Sequence, residues 1–474
     1  MGNCAVLGQL NQEEAIPMIF LDEETWQLEI EIPLRGKTTQ LQYKYVLKNQ
    51  DGTLTSEWGN DRVITLTSST SSCVLYDTWN HAGDFENAFF TTPFQEVLLP
   101  KRKVVSKKSV TGSHIFRVKA PLLLAHQQVC LLGDVASLHN WSTAAPILLQ
   151  KKKNWWEIAV ELKDEQFPIS YKYGVWDSSK KQFVQFEEGE NRVLPILLQN
   201  QKNCYYIQDG FIKLPNTTWR GAGVSIPVFS LRTHQSFGIG EFTDIKKLAD
   251  WSQAAGLRLI QLLPINDTIA TQTWQDSYPY AAISAFALHP IYINLAAVAG
   301  TKHAVLLRPL RKVQEQLNSK KAIDYEAVIR VKLETLRKLF DAQGADTILD
   351  PVFQQFFQDN KHWLKPYAAF CYYRDQFGTT QFENWPIASS YSATEADQLF
   401  KSVATRNKVL FYAFVQFHLH LQLKEAVSYT HQKGLVLKGD IPIGIYRYGV
   451  DAWVDPSLYK MDWQAGAPPD DFTA

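Results

Sequence analysis

The chain lacks the features that would tie it to a membrane, a nucleic acid or an oxidising compartment. It has no charge surplus: 48 Lys and Arg balance 48 Asp and Glu, which argues against a nucleic-acid or membrane-surface role. It has no apolar run of about 20 residues and no signal or transit peptide pattern. Its five cysteines, Cys4, Cys73, Cys130, Cys204 and Cys371, are odd in number and scattered, with no Cys-x-x-Cys spacing. That excludes a disulfide framework and predicts reduced thiols in a cytoplasmic protein. The one basic run, Lys101-Arg102-Lys103 with Lys107-Lys108, is short and reads as a solvated linker. His418 and His420 are two apart, so on a helix they face different sides and do not form a metal site. What is present is an ordinary hydrophobic content, 45%, in a chain long enough for roughly three domains.

An internal repeat fills the first 210 or so residues. Tyr43-Lys44-Tyr45 recurs as Tyr171-Lys172-Tyr173. Trp26-Gln-Leu-Glu-Ile-Glu-Ile32 recurs as Trp156-Glu-Ile-Ala-Val-Glu-Leu162. Ile16-Pro17-Met18 parallels Ala145-Pro146-Ile147, and Gly59-Asn60-Asp61-Arg62 parallels Gly189-Glu190-Asn191-Arg192. Apolar residues at every second position predict strands with one buried face. Each copy therefore reads as a small antiparallel β-sandwich, the first over 1–92 and the second over 113–212, joined by a linker over 93–112.

These residues resemble family 20 carbohydrate-binding modules of the starch-binding type. The second copy carries the resemblance best, in Gly133-Asp134…Leu138-His139-Asn140-Trp141, Tyr171-Lys172 and Phe186-Glu187…Asn191-Arg192. The resemblance implies a sugar-binding role for Trp141, Lys172, Phe186 and Asn191. Two aromatic faces would stack on successive pyranose rings, and Lys and Asn would donate to ring hydroxyls. Phe186 replaces the family's usual Trp. The first copy departs further: Leu10 stands where the family has Trp, and Asp61 where it has Asn. Only Lys44 and Trp58 keep the pattern there. Each of these aromatics could equally fill a sandwich core. The first copy also begins almost at its turn, so its first strand is expected to be missing.

From about Pro215 the texture changes. Gly221 to Ser230 and Leu259 to Pro264 read as buried strands. Between them Thr243 is expected to cap a helix, with Asp244 in its first turn. Ile245, Leu248, Ala249 and Ser252 keep helical spacing, and Gly256 ends it. A right-handed parallel strand–helix–strand unit is predicted. A helical insertion follows over about 295–433. Val328, Val331, Thr335 and Leu339 form one stripe in it, and Leu410, Phe414, Phe417 and Leu421 another. Leu435 to Leu437 then read as a buried strand that delivers Asp440 into a cleft.

These pieces resemble glycoside hydrolase family 77, the 4-α-glucanotransferases, in the maltose-processing type that carries tandem starch-binding modules. The matching motifs are Val228-Phe-Ser-Leu-Arg232, Phe237-Gly-Ile-Gly240 with Asp244, Gln261-Leu-Leu-Pro264, Asp276-Ser-Tyr-Pro-Tyr280 with Ser284, Leu364 to Phe370, Lys438 to Ile443 and Gly466 to Asp470. The resemblance implies that 215–474 is the N-terminal part of a (β/α)8 TIM barrel. It implies a cofactor-free retaining mechanism with a carboxylate nucleophile and a second carboxyl as acid and base. No catalytic residue is expected within the chain. The family's nucleophile and acid/base are expected beyond Ala474, so the chain is expected to be a piece of a longer protein. Tyr280 and Asp440 match substrate-binding positions and would hydrogen-bond hydroxyls of the bound glucosyl unit. The expected partners are α-1,4-glucans such as maltose, malto-oligosaccharides, starch or glycogen. Two alternatives stay open: a non-catalytic glucan-binding protein and an amylase-like hydrolase.

Overall fold

The computed structural model describes residues 1–33, 38–67, 72–99, 112–196, 204–215, 218–442 and 444–463. The expected linker residues 100–111 and the Gly466–Asp470 motif lie outside them. The chain divides into two compact units, Met1–Arg220 and Gly221–Ala474.

The first unit is β-rich and contains both repeats. In the first repeat, strands β1 (Thr38–Tyr43) and β2 (Arg62–Thr67) pair antiparallel, and β3 (Cys73–Asp77) follows. In the second, β4 (His114–Lys119), β5 (Gln127–Gly133), β6 (Trp156–Val160), β7 (Ile169–Asp177), β8 (Gln182–Phe186), β9 (Arg192–Leu194) and β10 (Cys204–Phe211) form two facing sheets. Alternation does what the sequence requires. In β6, Trp156, Ile158 and Val160 are buried and the residues between them are not. The inward faces of both sheets share one core with Phe116, Tyr171 and Tyr205. β3 of the first repeat joins the second repeat's sheet, beside β10 and parallel to it.

The predicted strand over Trp26–Ile32 forms only at Trp26–Gln27, which pairs with Ile19–Phe20. Leu28, Ile30 and Ile32 still pack against the first repeat's core. The difference is one of partners. β6 is held by β4 along its whole length, and no strand in the position of β4 stands beside Trp26 among the described residues. Trp26 is accordingly 54% exposed, against 2% for Trp156. Part of the expected linker is also ordered: Pro93–Leu98 forms a helical turn. There Phe94 packs edge-on against Phe89 and Trp219.

The second unit is α/β. Strands β11 (Gly223–Ile226), β12 (Leu259–Leu262) and β13 (Val436–Lys438) form a parallel three-stranded sheet in that order. Helix α1 (Ile245–Ala254) connects the first two strands. Three long helices, α2 (Tyr325–Leu349), α3 (Pro351–Phe377) and α4 (Arg406–Gln432), fill the insertion. Two local expectations are corrected. Thr243 caps nothing: α1 begins after Asp244, and the 3-10 turn before it, Phe242–Asp244, is capped by Glu241. Glu241 accepts the Asp244 backbone N–H while Asp244 accepts that of Glu241, a reciprocal capping box. And α4 is no single-stripe helix. All nine residues from Val409 to Phe417 are buried, whereas Leu421, placed in the stripe, is 37% exposed. A helix apolar on all sides belongs at the centre of its unit. No helix among the described residues is long and apolar enough to cross a membrane.

Candidate functional site

In the second unit the parallel sheet sets the site. Backbone groups beyond the C-terminal ends of parallel strands are free of the ladder, so the loops there can carry side chains that meet a ligand. Gly240 belongs to the loop after β11, and a Cβ at this position would lie 1.9 Å from the Val228 carbonyl oxygen. Only glycine permits that approach, which explains the Phe237-Gly-Ile-Gly240 motif. Asp440 lies two residues past β13 and Tyr280 in the long loop after β12. The Tyr280 hydroxyl donates to Asp440 Oδ2 at 2.9 Å, across 160 residues of sequence. The bond to the carboxylate raises the Tyr280 pKa, with burial adding less. The structure thus brings the two sequence-predicted residues of this unit together. Both are part-buried, and Asp440 Oδ1 also accepts the Ile441 N–H at 3.0 Å, which still leaves the carboxylate acceptor capacity for a polyhydroxyl ligand.

The loop that carries Tyr280 is braced from below. Asp276, buried, accepts the backbone N–H groups of Thr271 and Gln272 and the Thr271 hydroxyl. Ser284 Oγ accepts from Phe286 and Ala287, while Asp451 accepts the Ala285 N–H at 2.8 Å. Asp267, fully buried, accepts the Tyr367 hydroxyl at 2.7 Å. Asp451, Asp267 and Glu241 are structural supports that sequence reasoning missed. Their partners lie about 90 or more residues away, beyond any local pattern.

Asp267 and His289, 4.0 Å apart, carry a pH prediction. Burial pushes the Asp267 carboxyl up to about 6, against the nearby Arg374 and the Tyr367 hydroxyl. Burial, helped by Lys332 and Arg374, pushes His289 down to about 3. The raised Asp267 stabilises the fold more as pH falls through 6. The depressed His289 contributes stability that is present above 6.5 and is lost as pH falls toward 3. Between pH 6 and 4 the two effects offset. Asp267→Asn removes the compensating half. Its unfolding free energy in urea is expected to fall by about 1.4 kcal/mol more per pH unit than that of the unaltered chain between pH 6 and 4. Equal slopes would refute this placement of the proton.

In the first unit, the turn of the second repeat runs through Leu138 into three left-handed residues, His139, Asn140 and Trp141, with φ of 62°, 46° and 61°. Leu7, then Gly8, Gln9 and Leu10 with φ of 74°, 49° and 67°, repeat this path in the first copy. The hydrogen bonds coincide as well: Asn140 N–H to Val135 carbonyl matches Gln9 to Cys4. Three successive non-glycine residues at positive φ are costly, and such strain marks turns with a task. This turn sets the Trp141 ring 6.4 Å from that of Phe186, edge to face at 74°. Lys172 Nζ donates to the Gly189 carbonyl at 2.6 Å, in the same turn that carries the exposed Asn191. In the first copy Lys44 makes the same bond to Gly59 and lies 3.8 Å from Asp61. Its ammonium therefore has an anionic neighbour that Lys172 lacks at Asn191.

Trp58 is corrected. A buried network fixes the register of the two repeats. Glu187 pairs with Arg192 at 2.8 Å and accepts the Tyr173 N–H, while Asp209 accepts from Tyr171 and Tyr173. Glu57, Arg62, Tyr43, Tyr45 and Asp77 reproduce it. Glu57 therefore corresponds to Glu187, which places Trp58 against Glu188, and Ser56, not Trp58, against Phe186. The signal that could have shown this is the recurring Glu-x-x-x-x-Arg spacing.

The model of the family described as 4-alpha-glucanotransferase, glycoside hydrolase 77, matches residues 226–474, more than half of the chain. The chain belongs to the glycoside hydrolase 77 family. The starch binding domain model matches residues 1–75 and 114–204. The 4-alpha-glucanotransferase DPE2 of Oryza sativa subsp. japonica is 34% identical over 492 residues, covering 99% of this chain and 51% of the rice protein. The 4-alpha-glucanotransferase of Chlamydia muridarum is 30% identical over 254 residues, 53% of this chain and 46% of its own. An amylomaltase from Streptococcus agalactiae, solved in complex with acarbose, is 21% identical at a TM-score of 0.44, covering 54% of this chain and 51% of that one. The chain spans about half the length of the curated relatives it matches.

Proposed function

We propose that this glycoside hydrolase 77 chain serves a 4-alpha-glucanotransferase that moves glucosyl or short glucan units between maltose or malto-oligosaccharides and glucan acceptors. The observation that carries the reading is the Tyr280–Asp440 hydrogen bond at the C-terminal end of a parallel sheet, within the stretch that matches the family. In this reading β11, β12 and β13 are the first three strands of a (β/α)8 barrel. Tyr280 and Asp440 hold hydroxyls of the glucosyl unit in place. A retaining double displacement needs two further carboxyls about 5 Å apart, which the reading assigns to residues beyond Ala474. An acceptor sugar then takes the place of water in the second step. The modules of the first unit bring the α-1,4-glucan to the enzyme, and the protein works in the cytoplasm.

The test is to incubate the protein from its native source with maltotriose. Glucose together with a ladder of longer glucans supports transfer. Glucose and maltose without longer products would replace it with hydrolysis, and no turnover would leave only glucan binding. The module assignment has its own test. Trp141→Ala is expected to weaken β-cyclodextrin binding, measured by calorimetry, by about 1–3 kcal/mol for one lost stacked ring. Unchanged affinity would remove Trp141 from the site.

A further inference from the structure

Cys73 and Cys204 are 131 residues apart in sequence, yet they are direct register partners on the neighbouring parallel strands β3 and β10. In-register partners of a parallel pair present their side chains on the same face. Packing shows which face this is. Cys73 and Leu75 of β3 and Tyr206 of β10 all pack against the first repeat's core, and alternation places Cys204 on the Tyr206 side. Tyr205 and Ile207, at the alternate positions of β10, point the other way into the second repeat's core. Neighbouring strands lie about 4.8 Å apart, within the roughly 4.4–6.8 Å of Cα separation that a disulfide spans. Both thiols are free and part-exposed.

We propose that Cys73 and Cys204 form a reversible redox pair, closed to a disulfide by a small-molecule disulfide such as oxidised glutathione. The chemistry balances. The Cys204 thiolate attacks one sulfur of the oxidant, forms a mixed disulfide and expels one glutathione thiolate. The Cys73 thiolate then attacks Cys204 Sγ and expels the second. The two protein thiols lose two electrons and two protons, and one oxidised glutathione becomes two reduced ones. Burial raises the pKa of both thiols, that of Cys73 to about 12, but at Cys204 the nearby Lys163 and Arg117 oppose the rise, which makes Cys204 the better attacker. Cys73 acts only in the second step, where its neighbour is already in place.

The consequence is structural. β3 is the last strand of the first repeat and β10 the last strand of the second. Besides the strand pairing, Gln208 Nε2 bridges the two repeats by donating to the Tyr43 hydroxyl and to Asp77. A disulfide there would staple the two glucan-binding modules in one mutual arrangement, and reduction would release them to the strength of the sheet. Cys4, Cys130 and Cys371 have no such partner: none of them faces another cysteine across a strand pair of the described residues.

The experiment treats the folded chain with oxidised glutathione near pH 8 and follows intact mass and non-reducing peptide maps. The expected product has lost two hydrogens, contains a Cys73–Cys204 peptide, unfolds at a higher temperature and returns to the free thiols on reduction. Cys73→Ser is expected to stop at a glutathione adduct on Cys204. Lasting glutathione adducts on both thiols of the unaltered chain would overturn the proposal. So would disulfide-linked dimers, or the absence of reaction under conditions that oxidise the urea-unfolded chain.

Discussion

Lys332→Ala is expected to cost the second unit about 3–5 kcal/mol. Lys332 on α2 is wholly inaccessible, and its ammonium donates to Glu241 Oε1 at 2.6 Å and to the Ile291 and Ile293 carbonyls at 2.6 and 2.8 Å. All three donors are used. Glu241 is equally committed: it caps the turn before α1 and accepts from Asn294 at 2.6 Å. Truncating the lysine leaves a carboxylate and two carbonyls buried without their cation, and no water can reach them without opening the core. A loss of this size is a large part of the 5–15 kcal/mol by which a domain is usually stable. Hydrogen exchange along 325–349 measures it, because those amides open only with the unit. The double variant Glu241→Gln, Lys332→Met removes both charges and is expected to regain most of the loss. Lys302→Ala is the control. Its partner Asp346 is three-quarters exposed, as is Lys302 itself, and breaking such a pair hardly moves stability. Equal effects of Lys332→Ala and Lys302→Ala would show that the buried pair does not hold the unit together.

The same residue shows where sequence reading reaches its end. The repeat is legible because strand alternation and turn residues are local. Tyr43-Lys44-Tyr45 and Tyr171-Lys172-Tyr173 must look alike if they lie on equivalent strands and lean on equivalent acids. The parallel strands are legible as short apolar runs, and Asp440 as the first carboxylate past the last of them. What is not legible is whatever depends on a distant partner. Thr243 has the better intrinsic cap chemistry, but the turn before α1 starts at Glu241, whose carboxylate is held by Lys332, 91 residues on. Trp58 keeps the family's pattern by residue type, whereas the register fixed by the buried Glu57 and Glu187 sets Ser56 opposite Phe186. Trp26 has the alternation of Trp156 without the neighbouring strand that would bury it. In α4 a stripe could be drawn along a helix whose stretch Val409 to Phe417 is in fact buried on every side, because periodicity cannot reveal how many layers surround a helix. Tyr280 and Asp440 were each named singly, and their bond could be seen only once the fold had closed 160 residues between them.

That bond makes the strongest functional prediction. In the transferase proposed above, Asp440→Ala is expected to lower transfer activity on maltotriose by about 10²–10³-fold, the usual effect of removing one well-placed polar group from a transition state. Asp440 can accept two hydroxyls, one from Tyr280 at 2.9 Å and one from the sugar. As the glucosyl unit flattens toward an oxocarbenium-like geometry, a fixed acceptor holds the distorted ring better than the relaxed one. The loss should therefore fall mainly on kcat, with KM little changed. Tyr280→Phe separates positioning from binding. It removes the donor that orients Asp440 but leaves the acceptor, so it is expected to cost about 10–100-fold, in line with one hydrogen bond to a charged group of roughly 1.5–3 kcal/mol. Adding Tyr280→Phe to Asp440→Ala should then cost almost nothing more, since the tyrosine acts through the aspartate. Fully multiplicative losses would mean that Tyr280 and Asp440 serve the glucan independently. Unaltered activity in Asp440→Ala would move the glucosyl site away from this end of the sheet altogether.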